Sequence, residues 1–199
     1  VLLVMLIIAF GYTLFIQNQI AGLEREQQVL LEELGDFRNT DVNKIRLLKV
    51  DTDDPCHFKW HFVLPENQKF ANQLEFKAGG NFSGSINLRG GKQPINHSVF
   101  FELDNDNLAV HTIGAGSSAK RTISGFNKLV RFLQRHWGDL RFESFVEKQV
   151  TEHPSDERLK LLAIWIPPKL IKTFEQEFSG KIVEQAKSGP LFTYSIVPQ

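Results

Sequence analysis

The sequence predicts an α+β protein in which an N-terminal membrane helix and a short coiled-coil stalk precede one mainly antiparallel sheet domain with two amphipathic helices. Residues 1–16 contain no charged side chain, which is typical of a membrane segment or a buried core. Residues 20–38 have apolar side chains at helical spacing, and later residues alternate apolar with polar. We therefore predict an anchor over 1–19, a stalk over 20–38 and one globular domain over 40–199.

The anchor prediction depends on the length of the apolar run. A spanning helix needs about 20 apolar residues, so Gln17–Gln19 would have to lie at the membrane surface. A cleaved signal peptide is the main alternative, although neither a basic start nor a small-x-small cleavage site is visible. A buried helix is a further alternative. Only Arg25 and Arg38 soon follow the run, which favours a domain outside the cytoplasm.

The stalk prediction rests on a heptad pattern with one polar interruption at Gln27. Apolar side chains at alternating steps of three and four residues are typical of a parallel coiled coil. We therefore expect self-association through Ile20, Leu23, Leu30 and Leu34. A single amphipathic helix lying on the domain or on lipid is the alternative, because isolated short helices are marginal in water.

The first part of the globular domain is predicted to be all strands. The Gly-rich segment Gly79–Gly84 is expected to turn one hairpin, and four Asp and Asn residues before Leu108 are expected to turn a second one. The alternation predicts that each hairpin has one face in water. The six expected strands lie at Lys44–Val50, His57–Leu64, around Leu74–Phe76, and at Ser85–Arg89, Val99–Leu103 and Leu108–Ile113.

A helix is predicted next, because Leu129, Val130 and Leu133 share one stripe. Ser124 is the expected N-cap and Gly138 the expected C-terminal cap. The remaining elements are strands near Phe142–Val150 and at Leu159–Ile166, a second amphipathic helix that stops at Gly180, and a strand at Leu191–Val197. Leu159–Ile166 is apolar on both faces and is expected to be central, and the helices are expected to cover one face of the sheet.

The composition gives no support to a charged partner. The chain has 23 basic and 23 acidic residues, so no overall field favours nucleic acid, and we predict no nucleic-acid partner. The single cysteine, Cys56, has no intramolecular disulfide partner and is expected to be a small buried thiol. No motif indicates a cofactor.

No metal site is predicted either. His57 and His61 lie on one predicted strand, where residues four apart are separated by about 13 Å, too far for both to bind one ion. The Asp-rich turns at Asp51 and Asp104 lack the Gly and Glu that an EF-hand loop requires at its sixth and twelfth positions.

A catalytic motif is only weakly indicated. Ser117 and Lys120 match S-x-x-K, which places an amine beside a hydroxyl on a helical turn, but the companion K-T-G is absent. Gly-rich loops often line pockets. The alternative functional prediction is therefore an anchored enzyme or small-ligand domain with its site in the segments 79–84 and 114–121.

A basic ridge is the strongest candidate site. Lys128, Arg131 and Arg135 are spaced three and four residues apart, so they line one side of the predicted helix. Such a ridge can dock a phosphate, an anionic lipid or an acidic protein, and a solvated helix face is the alternative. No aromatic residues are interleaved there, which disfavours single-stranded nucleic acid.

These observations favour a membrane-anchored, non-enzymatic binding or assembly protein of the scaffold or adaptor kind. The anchor would fix its location, the stalk would set its copy number, and the domain, outside the cytoplasm, would meet a protein partner that the sequence does not identify. Contact with anionic lipid through the basic ridge is a third prediction.

Overall fold

The chain divides into two compact units, residues 1–36 and residues 37–199. The computed structural model describes residues 11–13, 15–17, 19–26, 41, 43–66, 68–76, 80–91, 94–104, 107–114, 116–123 and 125–199. In the first unit all of the described residues are helical. No helix within these ranges is long and apolar enough to span a membrane. Most of the predicted anchor and the stalk after Glu26 lie outside the described residues, so both stay predictions.

The described part of the second unit contains eleven strands and three α-helices. The strands form a six-stranded and a five-stranded sheet, and each pair of neighbouring strands in them is antiparallel. In chain order the elements are β1 (Lys44–Val50), β2 (His57–Val63), β3 (Lys69–Phe76), β4 (Gly80–Arg89), β5 (Ile95–Asp104), β6 (Asn107–Gly114), β7 (Ser117–Ile123), α1 (Asn127–His136), β8 (Arg141–Ser144), β9 (Thr151–Pro154), β10 (Leu159–Trp165), α2 (Pro168–Glu177), α3 (Lys181–Ser188) and β11 (Phe192–Pro198).

The two sheets face each other across an aromatic core. Their strand orders are β7-β6-β5-β2-β1-β9 and β4-β3-β11-β10-β8. Trp60 of β2 stacks on Tyr194 of β11, with ring centroids 6.0 Å apart. Phe101 of β5 meets Phe192 of β11 at 6.3 Å. Aromatic pairs of this kind add to the free energy gained by burying apolar surface, so these contacts hold the two sheets together.

The β5–β6 hairpin forms where the alternation predicts it. Leu103 pairs with Leu108 and Asp104 pairs with Asn107, so the expected hairpin is confirmed, and its two turn residues lie outside the described ranges. Val99 and Phe101 are buried, whereas the residues between them are only partly buried. This period of two is the pattern of a strand with one face in the core.

The chain leaves the six-stranded sheet to form the β3–β4 hairpin, and the two connections to that hairpin contact each other. The chain passes from β2 of the six-stranded sheet to β3 of the five-stranded sheet, and from β4 back to β5. The Gly90 amide donates to the Gln68 carbonyl at 3.2 Å, and the Gly91 amide donates to the Leu64 carbonyl at 3.3 Å. A Cβ atom at Gly90 would lie 1.5 Å from the Pro65 carbonyl oxygen, so the two connections touch where only glycine fits.

The α1 segment bridges the two sheets. Phe126, immediately before α1, meets Phe76 of β3 with ring centroids 5.1 Å apart. Trp137, immediately after α1, meets Phe101 of β5 at 5.7 Å. Phe132 on the buried side of the helix packs on two phenylalanines of the α2 region. The segment therefore contacts both sheets and the second helix.

The α+β class with antiparallel strands and few helices is confirmed, but the prediction of a single sheet is wrong. Alternation shows which side chains are buried and leaves the choice of neighbouring strands open. The expected strand Phe142–Val150 is wrong beyond Ser144, where β8 ends; the next strand, β9, begins only at Thr151 and lies in the other sheet. Residues 80–84 of the expected Gly-rich turn belong to β4, and the strand β7 was not predicted.

The helix ends also differ from the prediction. The N-cap of α1 is Phe126, without a side-chain capping bond, and Ser124 lies outside the described residues. Gly138 is not a cap, because it lies inside the 3-10 turn Trp137–Asp139 that follows α1. The third helix, α3, was not predicted, since Gly180 was taken only as a stop. Gly180 has a positive φ of 71°, which glycine adopts readily, and it redirects the chain into α3.

Candidate functional site

The helix α1 separates an apolar face from a basic one. Its buried face consists of Leu129, Val130, Phe132 and Leu133. The structure places Lys128, Arg131 and Arg135, the basic ridge, on the exposed side of α1. Steps of three and four residues keep side chains on one side of a helix, so burial of the apolar face fixes the direction in which the ridge points.

The end of α2 holds two members of the basic ridge. The Lys128 ammonium donates to the carbonyl oxygen of Glu177 and lies 5.4 Å from the centroid of the Phe178 ring. The Arg135 Nη2 atom is 2.6 Å from the Oε2 atom of Glu177. Arg135 Nε also donates to the Arg131 carbonyl at 3.3 Å. One residue of α2 thus fixes both ends of the ridge.

A surface groove of about 650 Å³ lies along the ridge. We call it the basic groove, and it is lined by Asn127, Lys128, Arg131, Gln134, Arg135 and Glu177. Three cations against one carboxylate leave an excess of two positive charges. Guanidinium groups bind carboxylates and phosphates through paired hydrogen bonds, so the groove is suited to an anionic ligand.

The other basic residues near α1 in the sequence lie apart from the groove lining. Lys120, on β7, donates to Glu102 at 2.8 Å. Arg121 is the next residue on that strand and therefore lies on the opposite face. The Arg141 guanidinium lies 5.7 Å from the centroid of the Trp165 ring. Only the three ridge residues, spaced along one helix, come together.

The Ser117–Lys120 motif does not assemble. Both residues lie on β7, and residues three apart on a strand point to opposite faces. The Ser117 hydroxyl donates to the Gly114 carbonyl at 3.0 Å, and Lys120 is engaged by Glu102. The structure therefore provides no hydroxyl–amine pair in this segment.

The histidines are dispersed. His111 Nε2 lies 2.7 Å from the Glu102 carboxylate on the six-stranded sheet, whereas His97 faces the core. No group of three His, Cys, Asp or Glu side chains suited to a metal ion occurs within the described ranges. Cys56 packs against the core, and burial, with a smaller effect of Asp54, raises the pKa of its thiol. A raised pKa keeps the thiol protonated and poorly nucleophilic.

A polar cluster that the sequence analysis missed lies in the core. Asn72 Nδ2 donates to Tyr194 Oη at 3.0 Å, and His97 Nε2 lies 2.6 Å from the same oxygen. Burial lowers the pKa of His97 to about 4 and raises the pKa of Tyr194, so both side chains are neutral at neutral pH. The strand pattern could have located His97, because it alternates with the buried Val99 and Phe101.

The predicted self-association residues fall partly within the described helical segment. Ile20 and Leu23 are helical and are 49% and 64% exposed. Leu30 and Leu34 lie outside the described residues. The coiled coil stays a prediction.

The fold and the groove define a class, an α+β protein whose two antiparallel sheets face each other and whose bridging helix carries a basic groove. Searches against protein-family models, curated proteins and solved structures found no match to this chain. The functional argument therefore rests on the geometry of the chain itself.

Proposed function

We propose that this protein is a membrane-anchored, non-enzymatic binding or assembly protein whose basic groove docks an acidic segment of a protein partner outside the cytoplasm. The observation that supports this proposal is the unbalanced charge of the groove. Its lining has three cations and one carboxylate, and an acidic segment supplies the missing negative charge.

The backbone carbonyl of Glu177 supports docking because it holds one end of the ridge in place. It accepts from Lys128, so less freedom of this side chain remains to be lost when a partner binds. The amide side chains of Asn127 and Gln134 also line the groove. They can donate to a peptide backbone or accept from it, which suits an extended acidic segment better than an isolated ion.

The proposed anchor and stalk would increase the overall affinity for a partner that a single groove binds weakly. Exposed ion pairs each contribute about 0–1 kcal/mol, so a single groove binds an acidic segment weakly. Pairing of copies through Ile20 and Leu23 would place several grooves side by side. Linked sites bind a multivalent partner far more tightly than one site does.

The test uses the full-length chain and a labelled peptide of alternating Glu and Gly residues. We expect Arg131→Gln to weaken binding by about threefold at low salt, since one exposed arginine–carboxylate contact is lost. Lys181→Gln removes one exposed charge from α3, outside the groove lining, and should leave the affinity unchanged.

Two outcomes would contradict the proposal. One is equal affinity of Arg131→Gln and Lys181→Gln for the acidic peptide. The other is stronger binding to vesicles of anionic lipid than to the peptide, with loss of vesicle binding in Arg131→Gln. That result would assign the ridge to a lipid surface.

A further inference from the structure

We propose that a second pocket, formed where β10 runs into α2 and bordered by α3, binds a small amphipathic anion: an apolar ring or chain that carries one carboxylate. The pocket has a volume of about 470 Å³, and its lining includes Arg141, Trp165, Ile166, Ile171 and Lys172. This volume lies within the range of small-molecule sites, roughly 300–1,000 Å³.

One side of the pocket is apolar. Trp165 and Ile171 are partly exposed, and they supply apolar surface that a ligand can cover, whereas Ile166 and Ala186 are already buried. Pro167 and Pro168, at the start of α2, complete this surface. An apolar ring or chain placed there removes apolar area from water on both sides of the contact.

The other side supplies positive charge. Lys172 is exposed and forms no ion pair with any residue that the structure describes. Arg141 lies over the Trp165 ring and forms a long ion pair with Glu143, at 3.6 Å. Lys187 is paired with Glu175. Lys172 is therefore available to a ligand carboxylate, and Arg141, held by a long ion pair, supplies a second positive charge.

The indole of Trp165 adds an aromatic surface to the lining. Its Nε1 atom is buried, so the ring and not the N–H group is what a ligand can contact. The pocket thus offers an aromatic and aliphatic surface and two cations.

This chemistry differs from that of the basic groove. The groove is lined by polar and charged residues, whereas a ligand of the second pocket needs an apolar body as well as a negative group. The inference does not depend on the proposed function, because the two linings share no residue.

The probes are 2-naphthoate, its uncharged analogue 2-naphthamide, and acetate, each titrated calorimetrically into the full-length chain against a protein-free blank in the same buffer. We expect 2-naphthoate to bind at least about tenfold more tightly than either of the others, because only it satisfies both sides of the pocket. Equal binding of 2-naphthoate and 2-naphthamide would overturn the proposal.

Variants test whether 2-naphthoate binds in this pocket. Arg141→Gln combined with Lys172→Gln should weaken 2-naphthoate binding by about tenfold, and Trp165→Phe should weaken it by a smaller factor because the aromatic surface is smaller. Lys160→Gln is the matched control, since Lys160 is exposed on β10 but does not line the pocket. The single variant Lys172→Gln, at an exposed position, serves if the double variant does not fold. Unchanged affinity in the Lys172→Gln variant, equal to that of Lys160→Gln, would overturn the assignment.

Discussion

Tyr194 and Arg135 each hold a polar partner at a short distance, but the regions around them differ in their access to water. The Tyr194 oxygen is bonded to Asn72 and His97, and these two side chains are 5% and 0% exposed. The Arg135 side chain is 56% exposed beside Glu177. Breaking a buried hydrogen bond is costly because its groups have already left water, whereas breaking an exposed ion pair costs little. The core cluster therefore contributes more to stability than the ion pair of the groove does, and the groove keeps its charge for a ligand.

Removal of the Tyr194 hydroxyl should give the largest change in the free energy of unfolding. Tyr194→Phe removes the hydroxyl oxygen that accepts from the Asn72 amide and lies 2.6 Å from His97 Nε2 in the core. We expect the free energy of unfolding to fall by about 3 kcal/mol, measured by urea unfolding. Tyr12→Phe is the matched control, because Tyr12 is 65% exposed, and it should change stability by less than about 0.5 kcal/mol. Similar values for the two variants would show that the cluster does not hold the core.

Acidification should give the next largest decrease in the free energy of unfolding. The pKa of His97 falls from 6.5 to about 4 on folding because of burial, so the unfolded chain binds a proton that the folded protein excludes. This stabilisation is complete above pH 6.5 and is lost progressively as the pH falls toward about 4. Between about pH 7.5 and about pH 5, the free energy of unfolding should decrease by about 2 kcal/mol on this account.

Urea unfolding of His97→Gln at the two pH values isolates this effect. The variant should lose about 2 kcal/mol less than the native chain on acidification, since it lacks the titrating group. His153→Gln, on the edge strand β9, is the control and should keep the full decrease. Equal pH dependence of His97→Gln and the native chain would contradict the assignment of the acid sensitivity to the core.

Glu177→Gln should give the smallest change in stability, and it tests the groove by its effect on the affinity for the acidic peptide. The substitution removes the carboxylate beside Arg135 and keeps the backbone carbonyl that accepts from Lys128. We expect the acidic peptide to bind about fivefold more tightly, because its carboxylate no longer competes with Glu177. Stability should change by less than about 1 kcal/mol. Glu184→Gln, an exposed charge on α3, should leave the affinity unchanged, and a loss of affinity in Glu177→Gln would refute the competition.

The fold could be predicted where its determinants are local. The β5–β6 hairpin was predicted because alternating strands flank a tight Asp and Asn turn. The end of β8 at Ser144 was missed, since Val146 is as apolar as a strand residue although the chain there passes between the two sheets. The helix α3 was missed because Ile182 and Val183 are β-branched, which favours strands, and Ala186 is the one residue of α3 that is fully buried.

The candidate site was predictable to the same extent. Helical spacing alone brought the three ridge residues together, and the structure places them on one exposed side of α1. Their contact with Glu177 joins residues 42 and 49 positions apart and depends on packing of Phe132 against α2. The bond between His97 and Tyr194 spans 97 positions. Such pairs follow from sheet order, which alternation leaves undetermined.

The contact between Gly90 and Pro65 closes the β3–β4 hairpin at its base, so that the hairpin is an insertion between two neighbouring strands of the six-stranded sheet. Once the ends of the hairpin are joined there, β2 and β5 behave as near neighbours along the chain, and the entropy lost in pairing them no longer grows with the length of the hairpin. The pairing of β2 with β5 should therefore tolerate added residues at the far end of the hairpin. The junction at Gly90 is the position where such changes must leave the chain as it is.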